Sequence, residues 1–102
     1  MQSALEIAAD HPAYAGHFPA LPVLPGAVLL DNVLAAVQQA RQIDVTQWQI
    51  GVAKFLNVVR PGDPLQLEHE MTDSGAIRFT IRNSQRAVAT GTLSLKAPVP
   101  PT

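Results

Sequence analysis

The sequence predicts an α+β domain in which a curved antiparallel sheet of about five strands wraps around one central helix. The segment from Pro25 to Arg41 is a long helical run, with no proline or glycine after Gly26. Shorter segments with alternating apolar and polar residues follow it, separated by short turns, as in antiparallel sheets. Between Ala27 and Val37 the helix is apolar on nearly all sides, which is typical of a helix that other elements surround.

The strands are predicted from period-two alternation. The stretch from Thr46 to Val59 is β-prone, with Thr46, Trp48, Ile50 and Val52 on one face, and its alternation blurs at Lys54-Phe55. We expect a bulge there. Four prolines fall between Pro12 and Pro25, and residues 10–24 are predicted to form a loop. The remaining predicted strands are Ser3 to Ala8, Leu65 to Thr72, Ile77 to Arg82 and Arg86 to Lys96.

One hairpin can be predicted in register. Apolar faces must coincide across a hairpin, so pairing Met71 with Ile77 is favoured. This pairing leaves residues 73–75 as the loop, with its glycine suited to a left-handed conformation. It also places Glu70 opposite Arg78, a favourable cross-strand pair.

The helix has an unusual beginning and an unusual acid. Pro25 suits a first helical turn because its missing N–H would have no partner there. Asp31 lies about two turns in, among apolar neighbours, where a carboxylate costs stability unless it is paired or protonated. These features indicate a functional role for the segment from Gly16 to Leu34.

Composition narrows the classes of function. The chain has 102 residues, of which 15% are charged and 47% apolar, so we expect a single domain (residues 1–97, with a tail at 98–102) that hides surface against a second copy. A net charge of −1 argues against nucleic acid as a partner, and the lack of cysteine excludes disulfides and thiolate metal sites. No signal peptide or membrane span is visible, so the expected location is cytoplasmic, without a membrane partner.

Two groups of residues form motifs. The first contains His17-Phe18-Pro19, Pro22-Val23, Pro25-Gly26 and Asp31, and the second contains Lys54-Phe55 and Pro61-Gly62-Asp63. Both resemble motifs of a known family, the β-hydroxyacyl-acyl carrier protein dehydratases of the FabA/FabZ type. The acid lies fourteen residues after the histidine (31 − 17 = 14), as in that family, and Asp in place of Glu is similar to the FabA branch. Ala20 and Asn32 depart from the usual pattern, and the short chain resembles the small dehydratases of aryl polyene gene clusters.

The resemblance implies a hot-dog fold and a lyase that removes water from 3-hydroxyacyl chains in fatty-acid or polyene-type biosynthesis. Histidine suits removal of the C2 proton because its ordinary pKa is near 6.5. A desolvated aspartic acid suits protonation of the departing C3 hydroxyl, because burial raises its pKa. His17 and Asp31 are therefore the expected catalytic residues, and the resemblance assigns the substrate carbonyl to the amide of Gly26.

The resemblance also implies partners. We expect an acyl carrier protein with a phosphopantetheine-linked chain as substrate, and a homodimer whose two sites each combine His17 of one protomer with Asp31 of the other. No cofactor and no metal are expected. Lys54, Arg60 and Arg41 are candidates for contact with the carrier protein, whereas His69 is expected to be a core or interface residue. Candidates for the substrate tunnel or its loop are Phe18, Tyr14, Val23 and Leu30.

Other readings remain open. A thioesterase on the same fold would use the acid to activate water, and a non-catalytic chain would only stabilise an active hot-dog subunit. In a purely structural role, His17 would hydrogen-bond the loop and Asp31 would cap a neighbouring backbone group. The aspartate also leaves open a trans-2 to cis-3 isomerisation, as in the FabA branch.

Overall fold

A computed structural model of the chain describes residues 2–5, 24–60, 62–84 and 86–96. In these ranges it contains one α-helix, one short 3₁₀ helix and five strands. In chain order they are β1 (Gln2–Leu5), α1 (Gly26–Arg41), the 3₁₀ helix (Val45–Gln47), β2 (Trp48–Phe55), β3 (Leu65–Met71), β4 (Ile77–Asn83) and β5 (Arg86–Leu95).

The five strands form one sheet in the order β1-β3-β4-β5-β2, and every neighbouring pair is antiparallel. The predicted α+β class and the single central helix are confirmed. Since β2 pairs only with β5 among the described strands, its other side is an edge of the sheet. An edge strand presents unpaired backbone groups to whatever approaches it.

The core lies between one face of α1 and the inner face of the sheet. Leu29, Val33 and Val37 recur at the four-residue spacing that aligns side chains along one side of a helix, and all three are buried. Alternating strand residues meet them from the sheet. The sheet residues buried in this cluster are Leu5, Leu65, Leu67, Ile77, Phe79, Ile81, Val88, Ala89 and Leu93.

The helix is open on its other side. Ala27, Asp31 and Ala35 are exposed in the single chain. The expectation that neighbouring elements surround the helix is therefore wrong for one chain, because the sheet covers only the side that carries Leu29 and Val33. Asp31 is exposed in the single chain, so its desolvation in a site shared between protomers stays a prediction.

The irregularity in β2 lies earlier than predicted. The register with β5 shifts between Ile50 and Val52, so the bulge falls at Gly51 and not at Lys54. A bulge reverses the alternation of faces after it. Consequently Val52, predicted on the face of Trp48 and Ile50, is 60% exposed, whereas Ala53 is partly buried.

The hairpin between β3 and β4 confirms the predicted register. Met71 pairs with Ile77 and Glu70 with Arg78. Gly75 has φ of +87°, the left-handed conformation that the turn requires. The ion pair between Glu70 and Arg78 spans 3.9 Å between two exposed side chains, so it contributes little to stability.

The last strand contains a second shift of register, between Ile81 and Arg82 of β4 and the facing residues of β5. Regular alternation would put Val88 and Ala89 on opposite faces, but with this shift both are buried. Leu95, at the end of the strand, is exposed.

Several predictions for the chain ends lie outside the described residues. These are the continuation of the first strand to Ala8, the loop up to Val23 and the tail from Ala97, so the domain boundary at residue 97 stays a prediction. No helix in the described ranges is both long and apolar enough to span a membrane. The same ranges contain no group of three or more side chains that could hold a metal ion.

Candidate active site

The start of α1 is held by backbone contacts. Pro25 is extended (φ −61°, ψ 144°), and its carbonyl oxygen accepts hydrogen bonds from the amides of Val28 and Leu29 at 3.1 and 3.2 Å. The amide of Leu24 donates to the carbonyl of Val59 at 2.8 Å. Gly26 is therefore the first helical residue, in the turn whose N–H groups have no intrahelical partner.

Phe55, the last residue of β2, contacts this helix start. A Cβ atom placed on Gly26 would lie 2.7 Å from Cζ of Phe55 and 3.0 and 3.1 Å from the two Cε atoms. The tip of the ring thus occupies the side of Gly26 where any other residue would carry its side chain. The motif residues Gly26 and Phe55 are brought together, and glycine is required there for the ring to keep its place.

Asp31 follows Gly26 on the same helix, about 7–8 Å farther along its axis. It lies two residues from both Leu29 and Val33, on the side of the helix opposite the core. The described part of the structure contains no hydrogen bond or ion pair to its carboxyl group, whereas the amide of Asn32 donates to the Val28 carbonyl at 2.8 Å. The carboxyl group is available to a partner or a substrate.

The predicted carrier-protein residues lie near the helix start. Lys54 precedes Phe55, and Arg60 follows Val59, whose carbonyl holds Leu24. Both are exposed. The amide of Arg60 donates to the Asp63 carboxylate at 2.8 Å, and no hydrogen bond or ion pair of the Arg60 guanidinium is found among the described residues.

Of the remaining predicted site residues, the structure describes only Leu30. His17, Phe18, Tyr14 and Val23 lie outside the described residues, so their roles stay predictions. Leu30 is partly buried and packs against the core cluster. Its surroundings support a packing role, and a role in the tunnel remains untested.

The edge of the sheet beside the site is apolar and exposed. We name Val52, Phe55, Leu56 and Val58 the edge patch; each is at least half exposed. Single apolar residues are common on protein surfaces, but four large ones on one short segment form a patch, and such patches mark interaction surfaces. The sequence did not predict this patch, because its exposure depends on the bulge at Gly51 and on the position of β2 in the sheet.

His69 connects the other end of α1 to the sheet. Nε of Arg41 donates to Nδ1 of His69 at 2.8 Å, and a second guanidinium nitrogen donates to the His69 carbonyl at 3.4 Å. Burial and then the Arg41 charge lower the pKa of His69. His69 is a core histidine, as predicted, and Arg41 is engaged with it, so the carrier-protein role considered for Arg41 has no support.

Comparison with known proteins decides the family. A family model described as ApeI-like (ApeI dehydratase) matches residues 1–92. The chain belongs to the ApeI-like dehydratase family. This confirms the resemblance to hot-dog dehydratases that the two motifs indicated.

Curated relatives of this ApeI-like chain include FabZ enzymes. It is 32% identical over 75 residues to the 3-hydroxyacyl-[acyl-carrier-protein] dehydratase FabZ of Rickettsia typhi, which is 66% of this chain and 51% of that protein. It is 35% identical over 75 residues to FabZ of Rickettsia africae, with the same coverage. The chain therefore spans about half the length of the curated relatives it matches.

Solved structures share the fold of the ApeI-like chain. The dehydratase heterocomplex ApeI:P from Xenorhabdus doucetiae matches with a TM-score of 0.75 and 24% identity, over 94% of this chain and 86% of the other. The dehydratase domain of PpsC from Mycobacterium tuberculosis, in complex with C12:1-CoA, matches with 0.71 and 25% identity, over 98% and 39%. The fluoroacetyl-CoA-specific thioesterase FlK (F36A) matches with 0.65 and 11% identity, over 94% and 87%. The last shows that the fold alone does not define the reaction.

Proposed function

We propose that this chain dehydrates a 3-hydroxyacyl chain on acyl carrier protein to the trans-2-enoyl form, in fatty-acid or polyene-type biosynthesis. The observation that carries the proposal is a helix that begins at a glycine and carries, five residues later, an exposed aspartate without a hydrogen bond or ion pair in the described residues. Membership in the ApeI-like family supports it over 92 residues. A cytoplasmic location stays a prediction.

The reaction needs two proton movements. His17 accepts the C2 proton while the Gly26 amide donates a hydrogen bond to the thioester oxygen, which stabilises the negative charge that develops there. Asp31, protonated, gives its proton to the C3 hydroxyl, which leaves as water as the C2–C3 double bond forms. The aspartate is afterwards anionic and the histidine protonated, so a proton returns to Asp31 before the next turnover.

Mass spectrometry of the carrier-bound chain tests the reaction. We expect the wild-type protein to remove one water from a 3-hydroxyacyl carrier substrate, and both His17→Ala and Asp31→Ala to abolish this. Intact acyl chains with every substrate length would refute the proposal, and release of a free acid would instead support the thioesterase. Chromatography of the enoyl product distinguishes trans-2 from cis-3 isomers of equal mass.

The exposure of Asp31 supports a dimer with shared sites. In the single chain the Asp31 side chain is exposed, on the side of the helix opposite the core. A second copy that pairs along β2 would cover the edge patch and would bring another chain beside this site. We therefore propose that His17 of one protomer meets Asp31 of the other.

Complementation tests the shared site. His17→Ala and Asp31→Ala proteins, each inactive, are mixed under conditions that exchange subunits. About a quarter of the wild-type activity per site is expected, since half of the random dimers are mixed and each contains one intact site. Mixed dimers without any activity would show that each site belongs to one chain.

Carrier-protein contact is the remaining proposal for Lys54 and Arg60. Their charges lie beside the helix start, where the phosphate of a phosphopantetheine arm or an acidic carrier surface could meet them. Charge reversal at either residue should raise KM for a carrier-bound chain and leave a short pantetheine thioester unaffected. Equal KM changes for both substrates would exclude a contact with the carrier.

A second candidate is a non-catalytic subunit of a heterodimer. It is favoured by one observation, the ApeI:P neighbour, which is a heterocomplex. The edge patch could then meet a different hot-dog chain. Activity of the purified chain alone decides, because a partner subunit would show turnover only after its second chain is added.

A further inference from the structure

Phe55 has an unusual environment for a large aromatic residue. It is 50% exposed and does not belong to the buried core cluster. Nevertheless the three atoms closest to a Cβ at position 26 are all atoms of its ring tip. The ring tip therefore contacts Gly26 directly, although this contact buries only part of the Phe55 side chain.

The direction of this contact relates the ring to the helix amides. In an α-helix the Cα–Cβ bond tilts toward the N-terminus. The first N–H groups of the helix point the same way. An atom at the Cβ position of Gly26 therefore stands beside the path by which an acceptor reaches the Gly26 amide, and the Phe55 ring tip occupies that place.

An apolar wall at this position strengthens a hydrogen bond to the amide. Water competes less for a donor that has apolar atoms on one side, and the electrostatic attraction grows as the local dielectric falls. The gain is largest when the acceptor oxygen carries developing negative charge, which occurs in the transition state of the proposed reaction.

We propose that Phe55 is a positioning residue that shields the Gly26 amide, and that the glycine admits this ring as well as the substrate oxygen. The inference rests on the proposed function. It adds a residue from the edge strand to a site otherwise built from the helix and the preceding loop.

Steady-state kinetics of Phe55→Ala and Phe55→Leu test this role. The alanine variant should lower kcat about tenfold with KM changed less than about threefold, because the lost effect acts mainly in the transition state. The leucine variant keeps an apolar wall and should retain at least about a third of kcat. Met71→Ala is the matched control, since Met71 is also large, apolar and 51% exposed but lies at the end of β3.

Hydrogen exchange gives a readout that does not need turnover. The Gly26 amide, followed by NMR in each variant, should exchange several-fold faster in Phe55→Ala than in the wild type and in Phe55→Leu. If the wild-type chain removes no water from any substrate, the proposed function fails, and the exchange rate alone decides whether Phe55 shields the amide.

Three results would overturn the inference. One is an unchanged kcat or an unchanged exchange rate in Phe55→Ala. Another is an equal loss in Phe55→Leu, which would indicate a structural role for the whole side chain. The third is an activity loss that follows dissociation of the protein, measured by sedimentation, because Phe55 belongs to the edge patch.

Discussion

Phe79 and Phe55 each direct the ring tip at a glycine, but the two pairs lie in opposite surroundings. Phe79 is fully buried at the centre of the sheet, opposite Gly91 in the β4–β5 ladder. A Cβ at Gly91 would meet the Phe79 ring and, at 2.8 Å, the carbonyl oxygen of Val52. At Gly26 the three nearest atoms all belong to the half-exposed ring of Phe55.

The two ring–glycine contacts have different roles, one in stability and one in function. At the sheet centre, ring and backbone close around the glycine from two sides, so neither can move without disturbing neighbouring strands. At the helix start the three nearest atoms all belong to one ring, and half of that ring is exposed. The first pair holds the fold together, whereas the second lies where a substrate or a second chain can approach.

The two phenylalanines should differ most in the loss of unfolding free energy when each is replaced by alanine. Phe79→Ala should lower the free energy of unfolding by about 3–5 kcal/mol, the usual cost of an emptied core site. Phe55→Ala should lower it by about 1 kcal/mol or less, because half of the ring is already in water. Urea unfolding measures both, with Phe79→Leu as the milder variant if Phe79→Ala does not fold. Equal costs at the two positions would break the comparison.

The glycines should differ in the same direction. Gly91→Ala should cost about 1–3 kcal/mol because the added methyl meets backbone as well as ring. Gly26→Ala should cost less than about 1 kcal/mol, since the Phe55 tip can turn toward water and alanine favours the helix. Gly51→Ala is the control: its Cβ would have only the Thr92 carbonyl, 3.9 Å away, within 4 Å, so stability should not fall. A Gly26→Ala cost above that of Gly91→Ala would contradict the proposed difference.

A smaller, pH-dependent effect is expected from His69. Burial and then Arg41 lower its pKa in the folded chain, and the Nδ1 atom that accepts from Arg41 must be unprotonated. The unfolded chain, with a histidine pKa of about 6.5, therefore binds the proton more readily. Stability should be full above about pH 6.5 and should fall as the pH drops toward the lowered folded value.

Thermal unfolding between about pH 5 and pH 8 checks this effect. His69→Gln should be less stable at high pH but should lose the part of the pH dependence that His69 contributes. Glu68 and Glu70 flank His69 along β3 and are present in both proteins, so the difference between the two curves isolates the histidine. Parallel curves would show that His69 has no such effect.

Local patterns were sufficient to predict the hairpin but not the edge patch. The pairing of Met71 with Ile77 follows from alternation and one glycine, all within a few residues. The bulge at Gly51 reverses the faces of β2 after it, and nothing in the local alternation marked that residue. The contact of Phe55 with Gly26 joins distant parts of the chain, so its two motifs could be recognised while their proximity could not.

Local sequence patterns were also insufficient to predict the surroundings of the helix. Its apolar composition predicted cover on nearly all sides, whereas the single chain buries the side that carries Leu29, Val33 and Val37. Asp31 was expected in apolar surroundings and is exposed in the single chain. The spacing of His17 and Asp31 indicated the family, but composition does not distinguish a side covered by the same chain from one that the chain leaves exposed.

The most direct test of the account is the Asp31→Asn variant, measured for both stability and turnover. An exposed side chain without partners in the described structure should tolerate this change within about 0.5 kcal/mol of unfolding free energy. Loss of its proton-donating role should lower kcat about 10²–10⁴-fold. A stable variant with almost no dehydration is the predicted result, and a variant that removes water at the wild-type rate would contradict the central role of Asp31.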